Sequence, residues 1–162
     1  MAVEEVEVLV VGGGQAGIAM SEHLSKADIP HLVVERNRIA ERWRSERWDS
    51  MVANGPCWHD RFPGLAFEDF DPDQFVPKES MADYLVAYAE KFKAPIRTGV
   101  DVKSVKKHPS GVGFDVTTNQ GEIYAKFVVA ATGPFHIANI PTVIPQTDSL
   151  MQINSADSKN PE

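Results

Sequence analysis

The sequence predicts an α/β fold: a parallel sheet with flanking helices and a small antiparallel β-meander attached. Three observations carry this. Two apolar, largely β-branched runs stand at residues 6–11 and 127–131, and a glycine-rich turn follows the first run and opens a helical pattern. After Ile96 the periodicity changes to short alternating stretches. Unbroken β-branched runs belong to strands covered on both faces, as in a parallel sheet.

Each element follows in order. Val6, Val8, Leu9, Val10 and Val11 form the first strand, which ends at glycine. Ala16, Ile18, Ala19, Leu24 and Ala27 recur at helical spacing from Gln15 to about Lys26, and Pro30 marks the stop. Leu32, Val33 and Val34 make a second short strand ending at Glu35. Strand, turn, helix and strand in that compass form a βαβ unit, whose crossover makes the two strands parallel neighbours. Residues 45–77 are irregular but rich in aromatics (Trp48, Trp58, Phe62, Phe67, Phe70, Phe75) and predict a folded loop packed over something. Trp48 and Trp58 are read as core or loop anchors. A helix is expected over 81–92, with Ser80 and Asp83 as its capping box and Pro95 preventing continuation. Val100, Val102 and Val105, then Phe114, Val116 and Thr118, then Ile123 and Tyr124 predict the meander, with turns at Ser110-Gly111 and Gln120-Gly121. Residues 127–131 form a last buried strand. The polar end of the chain has little periodicity and reads as a linker.

Composition sets the outer bounds. With 162 residues, 43% of them hydrophobic, the chain suffices for one domain with a real core. A single cysteine excludes a disulfide framework, a four-cysteine zinc site and a CxxC redox pair. The net charge of −7 points away from nucleic acid and anionic membrane surfaces as partners. No apolar run approaches the roughly 20 residues that span a bilayer, and the acidic start MAVEEVEV lacks the basic end of a signal peptide. A cytoplasmic location is the expectation.

Gly12-Gly13-Gly14-Gln15-Ala16-Gly17 fits GxGxxG after a buried strand and at the head of a helix. Gly12 allows the tight turn, Gly14 lets backbone approach a pyrophosphate, and Gly17 lets helix and strand pack closely. The pyrophosphate would rest on the helix N-terminus, touching the turn through Gln15 and Ala16. Glu35 ends the next strand, where an acid accepts hydrogen bonds from the adenosine ribose. That favours FAD or NAD over NADP at this site, with Arg36 slightly softening the preference. The segment therefore reads as a Rossmann-like dinucleotide site. Arg36, Arg38, Arg42, Arg44 and Arg47 alternate with Glu41 and Glu46 and are read as a solvated helix face. Cys57 reads as a buried small residue, His59 as incidental, and no residues suggest a metal site.

Four segments extend the reading. VVGGGQAGIAMSEHLSKADIPHLVVER, ERWRSERWDSM, ANGPCWHDRFPG with VPKESMADYLVAYAEKF, and VVAATGPFHIANIP resemble, in order, conserved stretches of flavin-dependent monooxygenases. The likeness is to the flavin-containing and Baeyer–Villiger kinds, in the two-dinucleotide-domain flavoprotein superfamily. The resemblance covers most of residues 1–141. It implies FAD, with its diphosphate at Gly12, Gly14 and Gly17 and its ribose at Glu35. Trp43 and Arg44 would lie on the flavin side, although Trp43 also fits a loop anchor. The resemblance also implies adenine contacts from the Val102 backbone, a return to the diphosphate at Ala131, Thr132 and Gly133, and Asn54 near the isoalloxazine as the one candidate catalytic contact.

Residues 1–145 would then be an incomplete FAD-binding domain and 146–162 a linker toward an absent NADPH-binding domain, so that NADPH and a small organic substrate would engage only a complete enzyme. Two departures stand out: Glu41-Arg42 replace the family's Gly-Gly before the tryptophan, and Asp148, Leu150, Asn154 and Ser158 do not match its linker signature. Two other readings stay open. One is a truncated, inactive dinucleotide-binding module. The other is a different flavoprotein class, an amine oxidase or a disulfide reductase, the latter lacking its dithiol here.

Overall fold

Twelve elements alternate in the computed structural model, which describes residues 3–133 together with 143, 149, 152, 153 and 157–160. They are β1 (Glu4–Val11), α1 (Gln15–Lys26), β2 (His31–Glu35), α2 (Glu41–Ser45), β3 (Val52–Pro56) and α3 (Cys57–Asp60), then β4 (Phe75–Pro77), α4 (Lys78–Lys91), β5 (Ile96–Thr98), β6 (Val102–Lys107), β7 (Phe114–Thr118) and β8 (Gly121–Ala130). Six strands share one sheet in the order β5-β2-β1-β8-β7-β6, and β3 pairs with β4 in a second. The fold is α/β and Rossmann-like, as the sequence predicts. The boundary expected at 145/146, and most of the linker beyond it, lie outside the described residues.

β1 is paired in parallel on both sides, with β2 (Val10 opposite Val33) and with β8 (Val10 opposite Val129). Its β-branched composition follows from burial on both faces. Val8, Val10 and Val33 lie under Met20 and Leu24 of α1. Leu9 and Val34 join a cluster with Val100, Val116, Ile123 and Ala125 from the antiparallel half. A third cluster sets Met81, Leu85 and Tyr88 of α4 against Ile18, Ala53, Val76 and Phe67. Where α1 and α4 meet, buried Tyr88 donates its hydroxyl hydrogen to Glu22, and Lys26 pairs with the same carboxylate at 2.6 Å. Burial pushes the Glu22 carboxyl up, but the hydrogen bonds from Lys26 and Tyr88 outweigh it and the net shift is downward.

Several elements differ from expectation. The third strand of the meander and the last apolar strand are one continuous strand: β8 pairs antiparallel with β7 from Gly121 to Ala125 and parallel with β1 from Ile123 to Ala130. α4 starts at Lys78, not beyond Ser80. Pro77 is its N-cap and the Lys78 N–H donates to the Met51 carbonyl at 3.0 Å, so Ser80 lies inside the first turn and caps nothing. β5, three residues parallel to β2, was not foreseen.

The irregular stretch is folded, as expected, and holds β3, α3 and β4. The Tyr84 hydroxyl pins it, accepting the Phe62 N–H at 2.6 Å and donating to the Leu65 carbonyl at 2.9 Å, while its ring stacks on Phe67. Trp48 and Trp58 are not its anchors. They are 41% and 56% exposed, Trp48 in the segment before β3 and Trp58 on α3. Cys57 is buried as expected, and burial pushes its thiol up.

Candidate dinucleotide site

The end of β1 turns sharply at Gly12, whose φ of 116° is closed to residues with side chains. Two close approaches follow. A Cβ on Gly12 would strike the Ala131 carbonyl, and one on Gly17 would strike the Gly12 carbonyl. The third glycine therefore does what its motif position predicts, seating α1 against β1. Gly14 is the N-cap of α1, brings no side-chain cap to it, and has nothing within 4 Å of where its Cβ would stand. The first-turn N–H groups of a helix have no partner inside it, and here Gly14, Gln15 and Ala16 line a cavity. This arrangement fits a diphosphate.

Glu35 closes the next side. One carboxylate oxygen accepts the Gly13 N–H at 2.7 Å and the other accepts the Asn37 N–H at 2.8 Å. The side chain is thus fixed at the strand end, and each oxygen keeps a lone pair for a hydroxyl donor. The packing of Glu35 on Gly13 also explains why the unmarked position of the motif is glycine, since a Cβ there would lie 2.8 Å from that of Glu35.

A cavity of about 530 Å³ opens between these groups. Of the residues singled out from sequence, Gly12, Gly14, Gln15, Ala16, Glu35, Arg36, Trp43, Asn54, Val102, Ala131, Thr132 and Gly133 line it. Segments distant in sequence thus meet at one place. Gly17 and Arg44 do not line it: Gly17 is the packing contact, and Arg44 pairs with Asp83 at 2.8 Å, tying α2 to α4.

Sequence reasoning missed Arg42, Arg47, Met51, Val100 and Asp101, which also line the cavity. The arginine run is a solvated face only in part. Arg38 is exposed and binds Glu41 at 2.6 Å, holding that carboxyl down at about 2. Arg42, on α2, and Arg47, two residues past its end, both line the cavity. The signal that could have found them is the position of Arg42 directly beside Trp43. Among the described residues no group of three or more metal-ligating side chains lies together, and no helix is long and apolar enough to cross a membrane.

Comparisons with known proteins relate the chain to oxidoreductases. Residues 9–161 match the family model described as pyridine nucleotide-disulphide oxidoreductase. The uncharacterized oxidoreductase CzcO-like of Geobacillus kaustophilus is 40% identical over 158 residues, covering 96% of this chain and 44% of the relative. The probable indole-3-pyruvate monooxygenase YUCCA1 of Arabidopsis thaliana is 30% identical over 127 residues, 77% of this chain and 30% of the relative. Among solved structures, the bacillithiol disulfide reductase of Staphylococcus aureus superposes with a TM-score of 0.76 at 17% identity, over 85% of this chain and 41% of that one. The flavin-containing monooxygenase of Stenotrophomonas maltophilia gives 0.74 at 23%, over 86% and 42%. These two likenesses concern the fold. The chain spans less than half the length of the relatives it matches.

Proposed function

The chain belongs to the pyridine nucleotide-disulphide oxidoreductase family, and on that premise we propose that it is the FAD-binding portion of an NADPH-dependent flavin monooxygenase acting on a small organic substrate. The observation that carries this reading is the single cavity onto which the fingerprint turn, Glu35, Val102, Asn54 and the Ala131–Gly133 turn all open. The likeness to YUCCA1, a probable indole-3-pyruvate monooxygenase, supports the monooxygenase class. Residues 1–145 are the cofactor-binding part in this reading, 146–162 lead toward an NADPH-binding domain, and the protein works in the cytoplasm.

FAD held here would supply the redox chemistry of a reaction in which NADPH is the reductant, one oxygen atom of O₂ enters the substrate and the other leaves as water. The chain's own residues bind and orient it. The α1 N-terminus and the Gly12–Gly14 turn receive the diphosphate, and Glu35 accepts the ribose hydroxyls, disfavouring a 2′-phosphate there. The Val102 backbone meets the adenine, while Trp43 and the Asn54 amide flank the flavin end. A disulfide reductase would need a dithiol, and the chain's one cysteine is the buried Cys57.

The test is the visible absorbance spectrum of the purified chain after incubation with FAD and desalting. Retained flavin absorbance is the expected result. A folded protein that stays colourless, with no FAD binding by calorimetry, overturns the reading.

A further inference from the structure

Arg42 stands in the cavity wall for reasons the dinucleotide fingerprint does not supply. Its guanidinium is tied to Glu46 on the same helical turn through Nε, and the side chain is 27% exposed. Its Nη1 lies 3.8 Å from where the Cβ of Gly133 would be. Gly133 belongs to the turn after β8, and that turn abuts the fingerprint, since the Ala131 carbonyl closes directly on Gly12. Arg42, Gly133, Ala131 and Gly12 are therefore stacked in sequence around one end of the cavity, beside the open space over Gly14.

Electrostatics gives this placement a purpose. A diphosphate brings two negative charges into a cavity lined by Glu35, Asp101 and the Arg38-paired Glu41, with Arg36, Arg42 and Arg47 as the cations in its wall, in a chain of net charge −7. The α1 N-terminus offers only about half a positive charge. We infer that Arg42 is a ligand of the dinucleotide diphosphate, a cationic jaw on the β8 side of the cavity facing the helix terminus of α1. Glu46 holds the guanidinium through Nε at this wall of the cavity, and arginine recognises phosphate through charge-assisted, paired hydrogen bonds. The inference rests on the proposed cofactor reading and adds a residue to it.

The experiment is calorimetric titration of the full chain with ADP and with adenosine, at low and high salt, for the wild type, Arg42→Gln and Arg42→Lys. Arg42→Gln should weaken ADP binding about ten- to hundredfold and flatten its salt dependence, while adenosine affinity stays unchanged. Arg42→Lys should restore part of the loss, because it keeps the charge but not the fork. Equal loss for ADP and adenosine would make Arg42 a structural residue and overturn the inference, as would unchanged ADP affinity in Arg42→Gln. A wild type that binds neither ADP nor FAD would instead overturn the cofactor reading itself.

Discussion

Gly17→Ala adds one methyl group at the point where α1 lies against the end of β1. The new Cβ would stand 1.9 Å from the Gly12 carbonyl oxygen, and 3.5 Å from the Ala131 Cβ. Ordinary contacts of this kind lie near 3.4 Å or beyond, so α1 must retreat by more than an ångström or the Gly12 turn must open. Neither is soft: Ile18 beside it is fully buried, and Gly12 is held by its N–H bond to the Val34 carbonyl at 2.8 Å. Because the obstacle is backbone and not a movable side chain, the cost belongs at the upper end of overpacking, about 3 kcal/mol. For a chain of this size that lowers Tm by roughly 6–12 °C. Differential scanning calorimetry of the ligand-free protein reads it directly, without any assumption about the cofactor. A Gly17→Ala protein melting within 2 °C of wild type, by the same estimate, would refute the claim that Gly17 is required for packing.

Two further outcomes follow from the site. Glu35→Ala should weaken FAD binding by about 1.5–3 kcal/mol through loss of charge-assisted hydrogen bonds, measured by calorimetry; unchanged affinity would remove Glu35 from the ribose. The Glu41 carboxyl is held at about 2 by Arg38, against an ordinary value of 4.5, so the pair contributes stability above 4.5 that fades as pH falls toward 2. Glu41→Gln should lower Tm at neutral pH, where the pair contributes, and flatten the acid limb of the Tm–pH curve in that window, so that the two proteins converge near pH 2. A limb as steep as that of wild type would show that the pair contributes nothing, as solvent-exposed pairs often do.

What the sequence made legible was whatever carries its own period or punctuation. α1 was readable to its first and last residues because glycine precedes it and apolar positions recur through it. β1 and β2 were readable because burial on both faces leaves an unbroken apolar run. β3 and β4 were hidden by their brevity and by Pro and Gly, and their pairing rests on contact with α4 more than on alternation. The start of α4 was misplaced because a serine–aspartate pair resembles a cap, whereas the true boundary is set by Pro77 and by a bond to the distant Met51 carbonyl. The site divides the same way. Glycines and Glu35 announce themselves through backbone geometry, but Arg42 and Arg47 sit in an alternating charge run whose pattern does not mark the two that line the cavity.

The pairing of β1 with β8 has a consequence for how the protein is made. Of the described strands β1 leaves the ribosome first and β8 last, yet Glu4 lies opposite Ile123 and Val11 opposite Ala130. The hairpins of β6, β7 and β8 can close within microseconds of appearing. The centre of the sheet must wait for a contact spanning most of the sequence, and such long closures slow folding. Through that interval the nascent chain presents one apolar flank of β1, with its backbone donors and acceptors unsatisfied. That flank is the natural target for a chaperone, and the place where crowded synthesis of this chain would first produce aggregates.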